Sequence, residues 1–283
     1  MTKSALTGFL KLLRLPYWLM TGGLAVITLA ALKQGNIDFK IFMLTFFSMA
    51  FLSSAGFSIN DYFDRESDAI IKPKRPIPSR EITPNFAVAT AIILFIASLF
   101  LSYLVNLLCF FIVLVDSILL AFYSAYVKHK SGLASNILVG CLTGTAFLYG
   151  ETAGFGAVTL RSLSIYPVCF GTIGGNILRD VLSLEGDSKV GYPTLPKEIG
   201  VEKSVRVAVG FFVVSALLAP TPYLLNVFGE GYLICILIWS FLVLFSSANL
   251  LMSHLTTNVK KNERLMTMGM TLLILALMIE AFL

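Results

Sequence analysis

Charge is what this chain has least of. Asp, Glu, Lys and Arg make up 13% of its 283 residues, against 57% hydrophobic, and the mean hydropathy is +0.85. A soluble globular domain carries about 25% charged residues, so the composition excludes that class and points to a multi-spanning membrane protein. Cysteine is sparser still. Cys109, Cys141, Cys169 and Cys235 all lie in apolar runs without CxxC spacing, which excludes a disulfide framework or a cysteine metal site and leaves small buried residues. The net charge of +5 requires no nucleic-acid partner; basic loops facing an anionic cytoplasmic leaflet account for it. Lys3, Lys11 and Arg14 precede an apolar run in the manner of a signal peptide. That run is too long, and no exported soluble domain follows, so it reads as the first membrane helix. No residue-level repeat stands out, and residues 1–283 read as a single membrane domain.

What the chain has in abundance is apolar runs of spanning length, at about 16–32, 41–60, 84–105, 107–127, 133–150, 162–178, 204–221, 231–251 and 265–283. They predict an all-α bundle of nine transmembrane helices around a central apolar cavity capped by cytoplasmic loops. Pro16, Pro84 and the Pro220-Thr221-Pro222 cluster mark helix ends, and Asn106-Leu107 marks a tight connection. The fifth and sixth runs are rich in glycine (Gly140, Gly144, Gly150; Gly171, Gly174, Gly175), which permits close backbone contact. With the N-terminus inside, only Lys33, Lys40 and Arg161 of the 21 Lys and Arg fall in outer segments. This asymmetry supports an odd number of spans, cytoplasmic basic loops and an outer C-terminus.

The few charges are concentrated. Asn60-Asp61-Tyr62-Phe63-Asp64-Arg65-Glu66-Ser67-Asp68 packs four acids and an amide into nine residues where an apolar run ends. In a continuing helix, Asn60, Asp64 and Asp68 fall at i, i+4 and i+8, so their oxygens share a face and repel. A hard divalent cation such as magnesium removes that cost and keeps room for a phosphate ligand. The alternative is a solvated acidic helix end neutralised by Arg65, Lys72, Lys74 and Arg75. A second acidic stretch on the same side contains Asp180, Glu185 and Asp187, with Asp180 and Asp187 seven apart and on one face if helical.

Acids that hold magnesium, bases that neutralise phosphate and a greasy interior beneath them describe a site for a lipid diphosphate. Departure of diphosphate from an allylic carbon needs its charge stabilised. The carbocation left behind needs a dry aromatic wall, for which Tyr123, Tyr126 and Tyr149 are candidates alongside ordinary packing or interfacial roles. Asp116 stands apart as an acid near the middle of the fourth run. An intramembrane acid is a functional candidate by position; it faces the cavity, pairs with a hydroxyl such as Ser117 or Tyr123, or is protonated.

These residues resemble the UbiA-type intramembrane prenyltransferases. Asn60, Asp61, Asp64 and Asp68 match that family's NDxxDxxxD motif, and Lys74-Arg75-Pro76-Ile77-Pro78-Ser79 is similar to its RPIPSG segment, with Arg80 where glycine is usual. Gly186-Asp187-Ser188-Lys189 through Thr194-Leu195-Pro196 resembles the loop after the second motif. The resemblance implies a first magnesium site at Asn60, Asp61, Asp64 and Asp68 and a second at Asp180 and Asp187. It implies catalytic weight on Asp64, Asp68 and Asp180. Diphosphate contacts are implied for Arg75 and Lys128, with Arg14 as a third base; a topogenic inner charge is the other reading of Lys128 and Arg14. The second motif departs from the family pattern, with Ser183 and Leu182 where further acids are usual and Asn176 where glutamate is common.

Within the family, the short chain and the KPKRPIPSREIT wording are most similar to the archaeal ether-lipid branch. The implied reaction moves a geranylgeranyl group from geranylgeranyl diphosphate to the hydroxyl of geranylgeranylglyceryl phosphate, with magnesium as cofactor and membrane lipids as surroundings. The alternative acceptor is aromatic, of the quinone, tocopherol or chlorophyll type. A lipid transporter is the rival of another class, but transporters place polar sites near the midplane, and here the charged clusters gather at one face.

Overall fold

The computed structural model describes residues 3–282. The helices, in order, are α1 (Lys3–Leu13), α2 (Pro16–Leu32), α3 (Phe39–Phe63), α4 (Arg65–Ile71), α5 (Pro84–Val105), α6 (Leu107–Ala125), α7 (Gly132–Phe155), α8 (Leu160–Ile165), α9 (Cys169–Val190), α10 (Leu195–Ile199), α11 (Val201–Leu218), α12 (Thr221–Leu224), α13 (Glu230–Met252) and α14 (Thr256–Phe282). Local chemistry fixes several of the starts. Asp38 accepts from the amides of Lys40 and Ile41, Thr83 from Phe86 just before Pro84, and Asn106 from Cys109. Each satisfies an orphan donor of a first turn. The Asn106 connection is as tight as expected: one extended residue at φ −171° joins α5 to α6.

The long helices pack in chain order into a ring, which α14 closes against α2, while α7 crosses behind to touch α2. One apolar core lies mainly among α9, α11, α13 and α14 around Ile177, Phe212, Ile236, Trp239 and Leu277. A second lies among α2, α3, α6 and α7 around Ala25, Met49, Val113 and Tyr149. Small residues let the layers approach: a Cβ on Gly150 of α7 would lie 2.5 Å from the carbonyl oxygen of Ala25 on α2. The outward faces stay greasy, with Ile93, Phe100, Phe241 and Phe245 all more than half exposed, as a bundle bathed in hydrocarbon requires. Cys109, Cys169 and Cys235 are buried thiols, as expected.

Among the described residues, eight helices are long and apolar enough to cross a membrane, so this criterion does not establish the nine spans expected from the sequence. The difference lies in the sixth run. It is expected to end at 178; instead a short α8 and a 3-10 turn lead into α9, which runs on to Val190 and carries Arg179, Asp180, Glu185, Asp187 and Lys189. Those charges lower its apolarity while keeping Asp180 and Asp187 on one helix. The chain reverses at the tight turns, so the 64–83, 126–131, 191–200 and 253–255 connections gather at one end of the bundle. The opposite end is held by Glu280, which accepts from the amides of Gly229 and Tyr232, and by Glu151, which accepts from Thr159 and Ser162.

Candidate active site

The first acidic motif forms where α3 ends. Asp64 caps α3 and starts α4, and the amides of Asp64 and Asp68 bond to the carbonyls of Asn60 and Asp64 at 2.9 and 2.8 Å. The i, i+4, i+8 spacing therefore survives a small break in the helix. Asp61, Asp64 and Asp68 are all buried, an arrangement that three like charges do not tolerate without compensation. Three bases supply it. Arg14 donates to Asp61 Oδ1 at 2.5 Å from the α1–α2 junction. Arg75 bridges Asp61 Oδ1 at 2.9 Å and Asp68 Oδ2 at 2.5 Å. Lys128, from the α6–α7 turn, pairs with Asp64 Oδ2. Arg65, expected among the neutralising bases, instead lies over the Tyr62 ring and pairs with exposed Glu66.

The second acidic stretch faces the first. Asp64, Asp68, Lys128, Asp180 and Asp187 all line one cleft of about 200 Å³, together with Tyr123, Asn136, Tyr192 and Thr194. Asp180 accepts from Asn136 Nδ2 at 2.7 Å and Asp187 from Ser183 Oγ at 2.5 Å, neither with an ion-pair partner among the described residues. Arg179 turns away, donating to Asn176 at 2.8 Å and to Glu263 of α14 at 3.1 Å. Glu185 is exposed. Asn60, Asp61, Arg14 and Arg75 are not among the residues lining the cleft; they sit behind it, holding its wall.

Sequence reasoning did not single out Tyr192 or Asn136, and named Thr194 only as part of the loop after the second motif. Tyr192 donates to Asp64 Oδ1 at 2.9 Å, lies 2.7 Å from Ser67 Oγ and packs under Lys128. Burial raises its phenol above the ordinary tyrosine range, so it stays a proton donor to Asp64. Burial also raises the Asp68 carboxyl, with Arg75 opposing, and holds the Lys72 ammonium below the usual lysine range, reinforced by Arg75, although Lys72 as a whole is exposed. The wall carrying Tyr192 and Thr194 rests directly on α7: a Cβ at Gly132 would lie 2.4 Å from the Leu195 nitrogen and 2.7 Å from the Pro193 oxygen. Glycine there is a packing requirement, and its only signal in sequence is its position after Ser131.

Of the aromatic candidates, Tyr123 lines the cleft, Tyr149 is buried within the bundle and Tyr126 is exposed. Asp116 is buried and bonded to a hydroxyl, as one reading allowed, but the donor is Thr145 of α7 at 2.6 Å; Ser117 bonds back to Val113. Arg80 has φ +59°, the left-handed region that glycine occupies without strain. That conformation gives a physical reason for the glycine usual at this place in the family.

Comparison with known proteins identifies the family. The UbiA prenyltransferase family matches residues 19–276. The chain belongs to this family. A digeranylgeranylglyceryl phosphate synthase of Natronomonas pharaonis is 38% identical over 64% of this chain, and the match spans 65% of that relative's length. A solved structure described as a digeranylgeranylglyceryl phosphate synthase in membranes is 31% identical, covers 98% of each chain and superimposes with a TM-score of 0.85. A UbiA homologue from Archaeoglobus fulgidus, solved with DMAPP and Mg2+, shares the fold at 20% identity and a TM-score of 0.68, covering 94% of this chain and 98% of its own. Like other UbiA proteins, this one is a multi-pass membrane protein.

Whether the residues fit a divalent ion is a question of donors. Among the described residues, no three acid, histidine or cysteine side chains are gathered closely enough to hold an ion unaided. The donor set is nevertheless of the right kind: four carboxylates around one cleft, all hard oxygen ligands. Behind them, the buried Asn60 Oδ1 has no hydrogen-bond partner, while its amide nitrogen donates to Asp64 at 2.8 Å. An orphaned buried carbonyl beside a carboxylate suits a cation.

Proposed function

We propose that this protein is a Mg2+-dependent prenyltransferase that moves a geranylgeranyl group from geranylgeranyl diphosphate to the hydroxyl of geranylgeranylglyceryl phosphate, forming an ether bond. The N-terminus and the cleft face the cytoplasm on this reading, which the distribution of basic residues supports. The observation that carries the proposal is the convergence of two acidic stretches, far apart in sequence, on one cleft at the end of an apolar bundle. The names of the Natronomonas relative and the 31% identical structure support the choice of acceptor.

Asp64 and Asp68 would hold magnesium on one wall, with Asn60 and Asp61 supporting them from behind, and Asp180 and Asp187 would hold it on the other; a bound metal would supply positive charge for the departing diphosphate. Lys128, with Arg75 and Arg14 behind it, would neutralise the same charge once released from its carboxylate. Breaking the allylic C1–O bond sends its electron pair to the diphosphate; Asp64, Asp68 and Asp180 would contribute by holding the cation that offsets that charge. The new bond joins C1 to the acceptor oxygen as the hydroxyl proton passes to the released diphosphate or a cleft carboxylate, so water must be excluded until the hydroxyl arrives. Tyr123 supplies an aromatic face in the cleft wall for the carbocation. The prenyl chain belongs among the apolar helices, and membrane lipids surround them.

The test is incubation of purified protein with Mg2+, labelled geranylgeranyl diphosphate and, separately, geranylgeranylglyceryl phosphate and aromatic acceptors. Labelled ether lipid is the expected product. Product from the aromatic acceptors alone would overturn the acceptor assignment.

A further inference from the structure

Most of the cleft's polar groups are already engaged. Asp64 is taken by Lys128 and Tyr192, Asp68 by Arg75, Asp180 by Asn136 and Asp187 by Ser183. Among those that are not, Lys72 and Thr194 stand out. Lys72, in the segment after α4, has no carboxylate partner among the described residues, whereas Arg14, Arg75 and Lys128 are each committed to one. Thr194 stands at the N-cap of α10, where a threonine hydroxyl ordinarily accepts from an amide of the first turn. Here it makes no capping bond. The residue is 8% exposed, and its Oγ1 is buried without a partner. A buried hydroxyl left unpaired costs about 1–3 kcal/mol, so a group that completes it is expected in the cleft.

We propose that Lys72 and Thr194 form a phosphoryl-binding pair in this cleft, the ammonium contributing charge and the hydroxyl donating a directional hydrogen bond to a phosphoryl oxygen. The proposal rests on the reading of the cleft as a lipid-diphosphate site and adds two residues to it. Neither belongs to the acidic motifs, and neither is bound up with an acid that must first release it. Two sources bring that chemistry: the diphosphate of the prenyl donor and the phosphate of the acceptor lipid. The walls are firm enough to hold such a pair, because the 193–195 segment rests on the Gly132 backbone.

The test uses the full chain in detergent with Mg2+, titrated calorimetrically with inorganic pyrophosphate as the donor head and glycerol phosphate as the acceptor head. Thr194→Val keeps the shape and removes the hydroxyl; Thr194→Ser keeps the hydroxyl; Lys72→Met and Lys72→Arg separate length from charge. Loss of one charge-assisted hydrogen bond is expected to weaken binding roughly tenfold in Thr194→Val and in Lys72→Met, with recovery in the Ser and Arg variants. Weaker pyrophosphate binding assigns the pair to the donor, and weaker glycerol phosphate binding assigns it to the acceptor. Thr194→Val is also expected to melt no lower than the parent protein, since it removes an unpaired group; a clear drop would mark the hydroxyl as structural and overturn its assignment. Variants that bind both probes as the parent does overturn the inference and leave the proposed reaction standing. A parent protein that binds neither probe removes the diphosphate reading itself.

Discussion

The two acidic walls of the cleft differ in how their charge is compensated. On the first, Asp61, Asp64 and Asp68 are buried and are matched by Arg14, Arg75 and Lys128. On the second, Asp180 and Asp187 are only partly buried and accept hydrogen bonds from neutral groups, Asn136 and Ser183. A neutral donor orients a carboxylate without cancelling its charge. The attraction for a first divalent cation is therefore expected to reside mainly on the second wall. On the proposed function, the first wall would become a ligand when Lys128 and Arg75 find phosphate oxygens to replace their carboxylates. Metal and diphosphate binding would then be coupled, because each removes the other's competitor.

The largest expected effect breaks the first wall. Asp64 lines the cleft and holds both Lys128 and Tyr192, so Asp64→Ala removes a proposed metal oxygen and the anchor of two further side chains. Turnover of labelled geranylgeranyl diphosphate is expected to fall by about 10²–10³, the scale seen when one preorganised charge-stabilising group is lost. A well-folded variant releasing diphosphate at the parent rate would remove the metal role of this wall. Asp61→Asn tests the same wall from behind. Asp61 binds both Arg14 and Arg75 and is not among the residues lining the cleft, so the loss should appear mainly as stability, about 2 kcal/mol for charged hydrogen bonds left half-made. Denaturant unfolding in mixed micelles measures it. Loss of activity with unchanged stability would instead place Asp61 among the metal ligands.

How much of this was legible in the sequence follows from how local each feature is. The long helices are written in runs of apolar residues, and their ends in Asp38, Thr83, Pro84 and Asn106, so their positions are readable. The first motif is legible because its donors sit one helical turn apart. The sixth run was misjudged in extent because charges inside a helix look like the end of a span, while α9 continues through them to Val190. Tyr192 and Asn136 were missed, and Thr194 was not placed in the cleft, for a different reason. Each joins the cleft through a contact between distant segments, such as Tyr192 to Asp64 or Asn136 to Asp180, and no spacing rule carries that information. The division of bases was likewise hidden: Arg65 lies within the motif and Arg75 beyond it, yet of the two only Arg75 pairs with its aspartates.

The smallest expected effect sharpens the contrast between the walls. Ser183 occupies a place where relatives of this family usually carry a second acid, and its hydroxyl donates to Asp187 one turn ahead. Ser183→Asp removes that donor and sets a like charge at i, i+4, which destabilises the helix by about 0.2–0.5 kcal/mol when no cation is present. With Mg2+ the sign reverses, because the added carboxylate is a further hard oxygen ligand on the wall that lacks cations. The Mg2+ concentration for half-maximal activity is therefore expected to fall a few-fold, roughly a factor of three, while the melting temperature in EDTA drops slightly. Asp180→Asn supplies the opposite arm of the same titration and should raise the Mg2+ requirement. If Ser183→Asp leaves the requirement unchanged and Asp180→Asn does too, the second wall is not where the ion is held, and the coupling argued from the unequal charge of the two walls fails with it.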